Sequence, residues 1–431
     1  MKYEQIGNAL FTTNRKRLAK ALPKGAIAVF NSNDQMPTNA DGTMPFRQNN
    51  DLFYLTGIQQ EESCLVVCPG FPDKGLREVL FLREPNELLG KWEGHKLAKA
   101  EATEISGITC VRWNGDFHKI FHHMMVMGGV SSVFLNTNEH YRSSSRVETR
   151  DARFIEWCKG AYPLHRYERV APIMARLRSI KQKRELELMQ KACDITEKGF
   201  RRVLRFVKPG VMEYEIEAEY IHEFVRNRSR GFAYEPIIAS GANNCVLHYL
   251  ENNKECKAGD LILLDVAAEY ANYNSDLTRT IPVSGKFTRR QKEVYHAVLR
   301  VMRGAIKLMG PTTNFFDYQK KVEKLMEEEL LKLKLISKAE TLKNNPSQPG
   351  VKKYFYHGTS HLIGLDVHDV GDMHANMAVG SVWTVEPGIY IQEEGFGIRL
   401  ENNVVVQKNG VMDLMANIPI EPDEIESLMN R

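Results

Sequence analysis

A chain of 431 residues is too long for one hydrophobic core and is read as two domains. Its 43% hydrophobic and 26% charged residues are the balance of an ordinary soluble globular protein. Lys+Arg number 58 against 54 Asp+Glu, a net +4 on a mixed surface, which argues against nucleic acid as a partner.

The N-terminal stretch MKYEQIGNALFTTNRKRL has no apolar core of signal-peptide length. No later run approaches ~20 apolar residues, so no membrane span is expected. Short β-like runs follow: IAVF (27–30), CLVVC (64–68), EVLFL (78–82) and SSVFL (131–135). KWEGHKLAKAEATEI (91–105) reads as a helix. Together these make a small α/β domain over residues 1–172. The boundary falls within GAYPLHRYERVAPIMARLRSIKQKRE, where prolines and a basic run precede a long helical segment. The seven cysteines are scattered and odd in number, which suits reduced thiols and a cytoplasmic location. Cys64 and Cys68 flank one apolar run and are expected to be buried thiols on one strand face.

Residues 173–431 follow a repeated plan. A helix pair (about 182–207 and 213–228) is closed midway by Pro209-Gly210. Two β-like runs come next, DLILLDVAA (260–268) and SDLTRTIPV (275–283). A second helix pair follows (about 289–309 and 315–335), the first opening on Thr288-x-x-Gln291, a capping box. After a polar loop (336–353) come SVWTVE (381–386), IYIQ (389–392) and GIRLENNVVV (397–406). Two helices and a carboxylate-bearing strand pair, twice over, imply an internal duplication with a site between the halves.

The strand runs carry acids where charge is costly. Asp265 interrupts LILLDVAA, and a buried charge must be paired or metal-bound. Asp276 follows in NSDLTRT. In a hairpin centred between Tyr270 and Ala271 the two are direct cross-strand partners, with Cβ atoms roughly 4.5–5.5 Å apart. Facing carboxylates repel, and a divalent cation or a salt-bridging arginine would relieve them. Glu386 ends SVWTVE before Pro387-Gly388, and Glu401 lies in IRLENNVVV. YHGTSHLIGLDVHDVG (356–371) adds His357, His361 and His368. The spacing of His357 and His361 resembles helical zinc sites, but Gly358 and Gly364 disfavour a helix. One ligand histidine with helpers is the more economical reading. Four carboxylates balance two divalent cations, and oxygen-rich ligation with one imidazole favours Mn, Mg, Co or Fe over structural zinc. Two metals can hold a bridging water as nucleophile and polarise a carbonyl, so the chemistry points to metal-assisted hydrolysis.

DVAAEYANYNSDLTRT, HGTSHLIGLDVHDVG, TVEPGIYI and GIRLENNVVV, in this order, resemble the signatures of the proline-specific metallopeptidases with the pita-bread fold. FRQNNDLFYLTGIQQEES (46–63) resembles that family's N-terminal domain. The similarity covers nearly the whole chain and is greatest to the aminopeptidase P (Xaa-Pro aminopeptidase) group, with prolidase next. It implies an α+β pita-bread catalytic domain with pseudo-twofold duplication, preceded by a smaller α/β domain. It implies two divalent metals, manganese first, with Co, Zn, Fe and Mg as alternatives. The ligands would be Asp265, Asp276, His361, Glu386 and Glu401, with Asp276 and Glu401 bridging. Glu386 would also handle the proton. His368 and His248 would face substrate, with His357 accessory and Arg399 supporting a ligand carboxylate. The implied reaction is hydrolysis of the N-terminal Xaa–Pro bond by a hydroxide bridging the metals, in a dimer or tetramer. Thr359 departs from the bulkier apolar residues common in the family at this position. Three rivals share the fold: a prolidase limited to Xaa-Pro dipeptides, a metal-free creatinase-type hydrolase, and a non-catalytic peptide-binding module. The intact acids oppose the last two.

Overall fold

The computed structural model describes residues 2–137, 139–140, 146–339 and 350–430. The chain forms two compact units, Gln5–Arg178 and the pair of segments Met1–Glu4 and Ser179–Arg431. Residue 172, where the sequence places the boundary, lies inside the helix Ala171–Ser179. That is the helix's N-terminal end, and the two units part near its other end, between Arg178 and Ser179.

In the Gln5–Arg178 unit, six strands form one mixed sheet. They are β1 (Ala26–Asn31), β2 (Cys64–Val67), β3 (Glu78–Leu82), β4 (Cys110–Trp113), β5 (Ser132–Leu135) and β6 (Arg166–Arg169), in the order β4-β3-β2-β1-β5-β6. β1 pairs antiparallel with β2 and parallel with β5. Both β1 and β2 are buried at every position. With both faces covered, such strands read as continuous apolar runs. Cys64, Cys68, Cys110 and Cys158 share one core cluster as free thiols, and burial pushes Cys64 up to about 12. The helix expected over 91–105 is two helices, Glu87–Glu93 and Lys99–Ser106. Gly94, at φ 79°, lets the chain leave the first, and the Glu101 carboxylate caps the second by accepting from the Ala98 N–H at 2.7 Å. β6, RYER, is largely exposed at the sheet edge and carries no apolar run to announce it.

The second unit opens with the helices Lys183–Phe206 and Glu213–Arg226. Five strands follow: β7 (Ile237–Ser240), β8 (Leu261–Asp265), β9 (Glu269–Tyr270), β10 (Tyr273–Asn274) and β11 (Thr278–Pro282). β8 lies between β7 and β11, antiparallel to both. The plan then recurs with the helices Arg289–Leu308 and Phe315–Lys332. The strands β12 (Val382–Val385), β13 (Gly388–Ile391), β14 (Phe396–Arg399), β15 (Asn402–Val406) and β16 (Val411–Asp413) complete it. This is the duplicated α+β order that the resemblance implies. The polar loop expected over 336–353 falls largely outside the described residues. The Thr288 hydroxyl accepts from the Gln291 N–H at 3.2 Å while Gln291 accepts from the Thr288 N–H at 2.8 Å, the expected capping box. β14 lies against β8 and β11, so the two halves meet strand to strand. Among the described residues no helix is long and apolar enough to cross a membrane.

One register differs from expectation. Asp265 pairs with Thr278, not with Asp276. Ala271 and Asn272, at φ 53° and 67°, form the two-residue turn, so Tyr270 closes on Tyr273. Consecutive positive φ values are the signature of the tight hairpin turn whose twist matches its strands. Moving the turn by one residue moves the register by two. That keeps Asp265 and Asp276 on the same face as diagonal neighbours.

The helix pair of the first half packs closely because Gly199 has no side chain. A Cβ there would lie 2.6 Å from Phe224 Cε1 and 2.9 Å from Tyr220 Cδ1, both on rings buried in the core. Gly199→Ala gains up to ~1 kcal/mol of helix propensity but overpacks this contact, at a cost of about 1–3 kcal/mol. The variant is expected to melt below the wild type in calorimetry; a higher melting temperature would contradict the packing argument.

Candidate metal centre

The strand meeting point gathers the acids. Asp265 ends β8, Asp276 lies just before β11, Glu386 follows β12 and Glu401 joins β14 to β15. Asp276 is fixed by a reciprocal amide clamp. Its N–H donates to Asn403 Oδ1 at 2.9 Å, and Asn403 Nδ2 donates to its carbonyl at 2.9 Å. Glu401 is drawn to β11 by its own N–H to the Thr278 carbonyl (3.0 Å) and by the Thr278 hydroxyl to Oε2 (2.7 Å). His361 is pinned to β12: its N–H donates to Thr384 Oγ1 at 3.0 Å, and its carbonyl accepts from the Thr384 N–H at 2.9 Å.

The imidazole of His361 is set for a ligand role. Its Nδ1 lies 3.0 Å from the Leu362 carbonyl, which only accepts, so that nitrogen carries the proton. Nε2 then faces Asp276 Oδ2 at 3.4 Å and Glu386 Oε1 at 3.5 Å. Ligand atoms of Asp276, His361 and Glu401 all lie within 4.8 Å of one another. Glu401 Oε1 is buried with no hydrogen-bond partner. An orphaned carboxylate oxygen beside an imidazole lone pair and two more acids is a donor set that fits a divalent cation.

Electrostatics agree. Burial, with the charges of Asp276, Glu386 and Asp265, pushes Glu401 well above the usual carboxylate range. Burial likewise pushes Glu386 up to about 7, the Asp276 and Asp265 charges adding to it and His361 opposing. Burial would lower His361, but Asp276 and Glu386 outweigh it and the imidazole is raised. Asp265 is raised by burial despite Arg399, whose guanidinium donates to Asp265 Oδ2 at 2.6 Å. The Tyr234 hydroxyl donates to the other oxygen at 2.6 Å.

The remaining histidines are placed unequally. His368 stacks on His361, ring centroids 4.0 Å apart and planes 7° from parallel. His357 Nε2 accepts from the Tyr390 hydroxyl at 2.8 Å, and that oxygen accepts from Arg399 at 2.8 Å. Burial and the Arg399 charge push His357 down to about 3, so it is neutral. His248 is exposed, and its charge acts on His357. Sequence reasoning missed Tyr234, Thr278, Thr384, Tyr390 and Asn403. Thr278 and Asn403 each stand two residues beyond a named acid, a spacing that marks one strand face. Tyr234 lies 31 residues before Asp265 with no local signal at all.

Residues 187–408 match the model of metallopeptidase family M24, and residues 11–133 match the N-terminal domain of aminopeptidase P. A Xaa-Pro aminopeptidase of Escherichia coli is 32% identical, over 99% of this chain and 98% of its own. Xaa-Pro aminopeptidase 3 of Homo sapiens is 31% identical over 90% of this chain and 77% of its own. Among solved structures, an Escherichia coli aminopeptidase P with the inhibitor Pro-Leu is similar at a TM-score of 0.87 and 30% identity, over 99% of both chains. A zinc-substituted form of that enzyme with product gives 0.86 and 31% over the same coverage.

The raised Glu386 carboxyl has a stability consequence with a definite sign. Its folded value of about 7 lies above its ordinary 4.5, so its contribution is fully present below about pH 4.5 and is lost as pH rises through about 7. Chelator-treated protein should therefore lose thermal stability over that window. An added divalent cation, which binds the deprotonated acids, should restore it more strongly the higher the pH. A melting temperature that stays flat across the window and ignores added Mn²⁺ would contradict this.

Proposed function

Because this chain belongs to metallopeptidase family M24 and carries the aminopeptidase P N-terminal domain, we propose that it is a Xaa-Pro aminopeptidase: it removes the N-terminal residue of peptides that have proline in second position. The observation that carries this reading is the cluster of Asp276, His361 and Glu401 with the orphaned Glu401 oxygen. Asp276 and Glu401 would serve two cations in common, Asp265 one of them, and His361 with Glu386 the other. Bound there, the cations supply an acidified water and polarise the scissile carbonyl.

The chain's own residues do the rest. Among the four acids, Glu386 has the most accessible side chain at 20% exposed, against 14% for Asp265 and 8% for Asp276, with Glu401 buried. It is therefore the group a reacting water can reach, and we assign it the proton transfer. Arg399 orients Asp265 and fixes Tyr390, which in turn holds His357. His368, backed by the His361 ring and partly exposed, is assigned to the substrate carbonyl, and exposed His248 to the substrate's rim.

Manganese is the proposed metal, since the donors are carboxylates with one imidazole. The seven buried free thiols support a cytoplasmic setting. Exposed Leu88 and Trp92, on a short helix with no buried residue, support self-association, which sedimentation at the monomer mass would contradict. The prolidase reading is not favoured, because the relatives reported above are aminopeptidases.

The test is one assay series with added Mn²⁺. The protein should cleave an Xaa-Pro-Yaa tripeptide, lose that activity with chelator, and fall on the order of 10²–10⁴-fold in kcat as Glu386→Gln. Cleavage of Xaa-Pro dipeptides alone would overturn the aminopeptidase assignment.

A further inference from the structure

Away from the acids, the second unit buries an ion pair that the reading above leaves unused. Lys181 Nζ donates to Asp369 Oδ2 at 2.8 Å, and both side chains are 1% exposed. Removing two charges from water is costly, and a buried pair of this kind is weak evidence for stability by itself. Its location suggests another use. Asp369 directly follows His368, and Lys181 directly precedes Gln182, the cap of the long helix Lys183–Phe206.

The pair sits inside the loop that joins the two stacked rings. The Asp369 N–H donates to the carbonyl of Leu362, next to His361, at 2.8 Å and closes the loop at its base. Asp369 Oδ1 accepts from the Val370 N–H at 2.9 Å. The loop's far side is tied down by Asn274, which donates from its backbone to the Gly364 carbonyl (2.8 Å) and from Nδ2 to the carbonyls of Gly364 (3.0 Å) and Leu365 (2.9 Å). Gly364 is the floor on which the ion pair rests. A Cβ there would lie 2.2 Å from Asp369 Oδ2 and 2.8 Å from both Lys181 Cε and Nζ. The Lys181 backbone N–H donates to the Gly380 carbonyl at 2.9 Å, just ahead of β12, which carries Thr384 and leads to Glu386. One lysine thus ties the start of the long helix, the histidine loop and the approach to β12.

We propose that the Lys181–Asp369 pair is a positioning device for His368, holding its ring stacked on His361 so that it meets the substrate in one orientation. The proposal rests on the assignment of His368 to substrate. The Lys181 ammonium is committed to Asp369, which is not one of the four clustered acids, so its removal should leave cation binding intact. The effect belongs in turnover, because a misplacement of about 1 Å can cost up to about 10²-fold.

Three variants test it: Lys181→Met, Lys181→Met in a His368→Ala background, and Lys181→Met with Asp369→Leu. The last removes both charges and keeps the experiment decisive if the single variant fails to fold. Bound metal, kcat and KM on Xaa-Pro-Yaa, and the His368 imidazole signals in ¹H–¹⁵N spectra are the readouts. The expected result is full metal content, kcat lowered by about 10- to 10²-fold with little change in KM, and a shifted His368 signal. In the His368→Ala background the Lys181 substitution should cost nothing further, the non-additivity of residues that act as one unit. Wild-type kcat in the folded double-charge deletion, or an effect that simply adds to that of His368→Ala, would overturn the proposal. Should the wild type fail to cleave the peptide, the spectra still decide. A His368 signal unmoved by Lys181→Met refutes the positioning, and a moved one leaves it standing while the aminopeptidase reading falls.

Discussion

Mutual repulsion among buried carboxylates is the constraint on which the second unit is built. Asp265, Asp276, Glu386 and Glu401 come together at one strand junction, and three of them, Asp265, Glu386 and Glu401, are raised by burial first and then by one another's charges. Two like charges ~4 Å apart oppose each other by about 4 kcal/mol at an effective dielectric of 20. A hydrogen bond to a charged group returns about 1.5–3 kcal/mol, less than one such pair opposes. The hydroxyls of Tyr234 and Thr278 therefore cannot hold such a cluster together. Arg399 bonds directly to one acid, Asp265, and offsets Glu386 through its charge, which leaves Asp276 and Glu401. Either protons or divalent cations must balance the others, and a family whose members are metallopeptidases points to the cations.

The duplicated architecture keeps the acids near despite that opposition. Each half contributes two of them, so neither half alone assembles the site. The cross-links that hold the halves together are backbone and amide bonds: Asn403 to Asp276, and Thr278 to Glu401. Arg279 reinforces the seam from within. Fully buried, it donates to the carbonyls of Thr278, Glu401 and Pro419 and to Asn402 Oδ1. These bonds are short-range and directional. They position the carboxylates without depending on the charge that the carboxylates carry.

Much of this was legible before any coordinates. Runs such as LILLDVAA and GIRLENNVVV became β8, β14 and β15 because apolar length and branching are local properties. The Thr288–Gln291 box was legible because both partners lie within one turn. The break at Gly94 was hidden, since a single glycine inside a helical pattern is ambiguous. The hairpin register slipped by two because an Ala-Asn turn gives a far weaker signal than Asn-Gly. The parity of the strand pleat nonetheless kept the two aspartates on one face.

By itself the sequence determined the chemistry available: four acids on strands, histidines among glycines, and motifs in an order that matches one peptidase family. Residue identity and near-neighbour spacing carry that information. Only the tertiary structure decided which groups act on one another. Tyr234 reaching Asp265, Arg399 joining Asp265 to Tyr390 and His357, and Lys181 buried against Asp369 span up to 188 positions of sequence. Such pairs have no periodicity to read, because a contact between distant segments is fixed by how the strands close and not by any local preference.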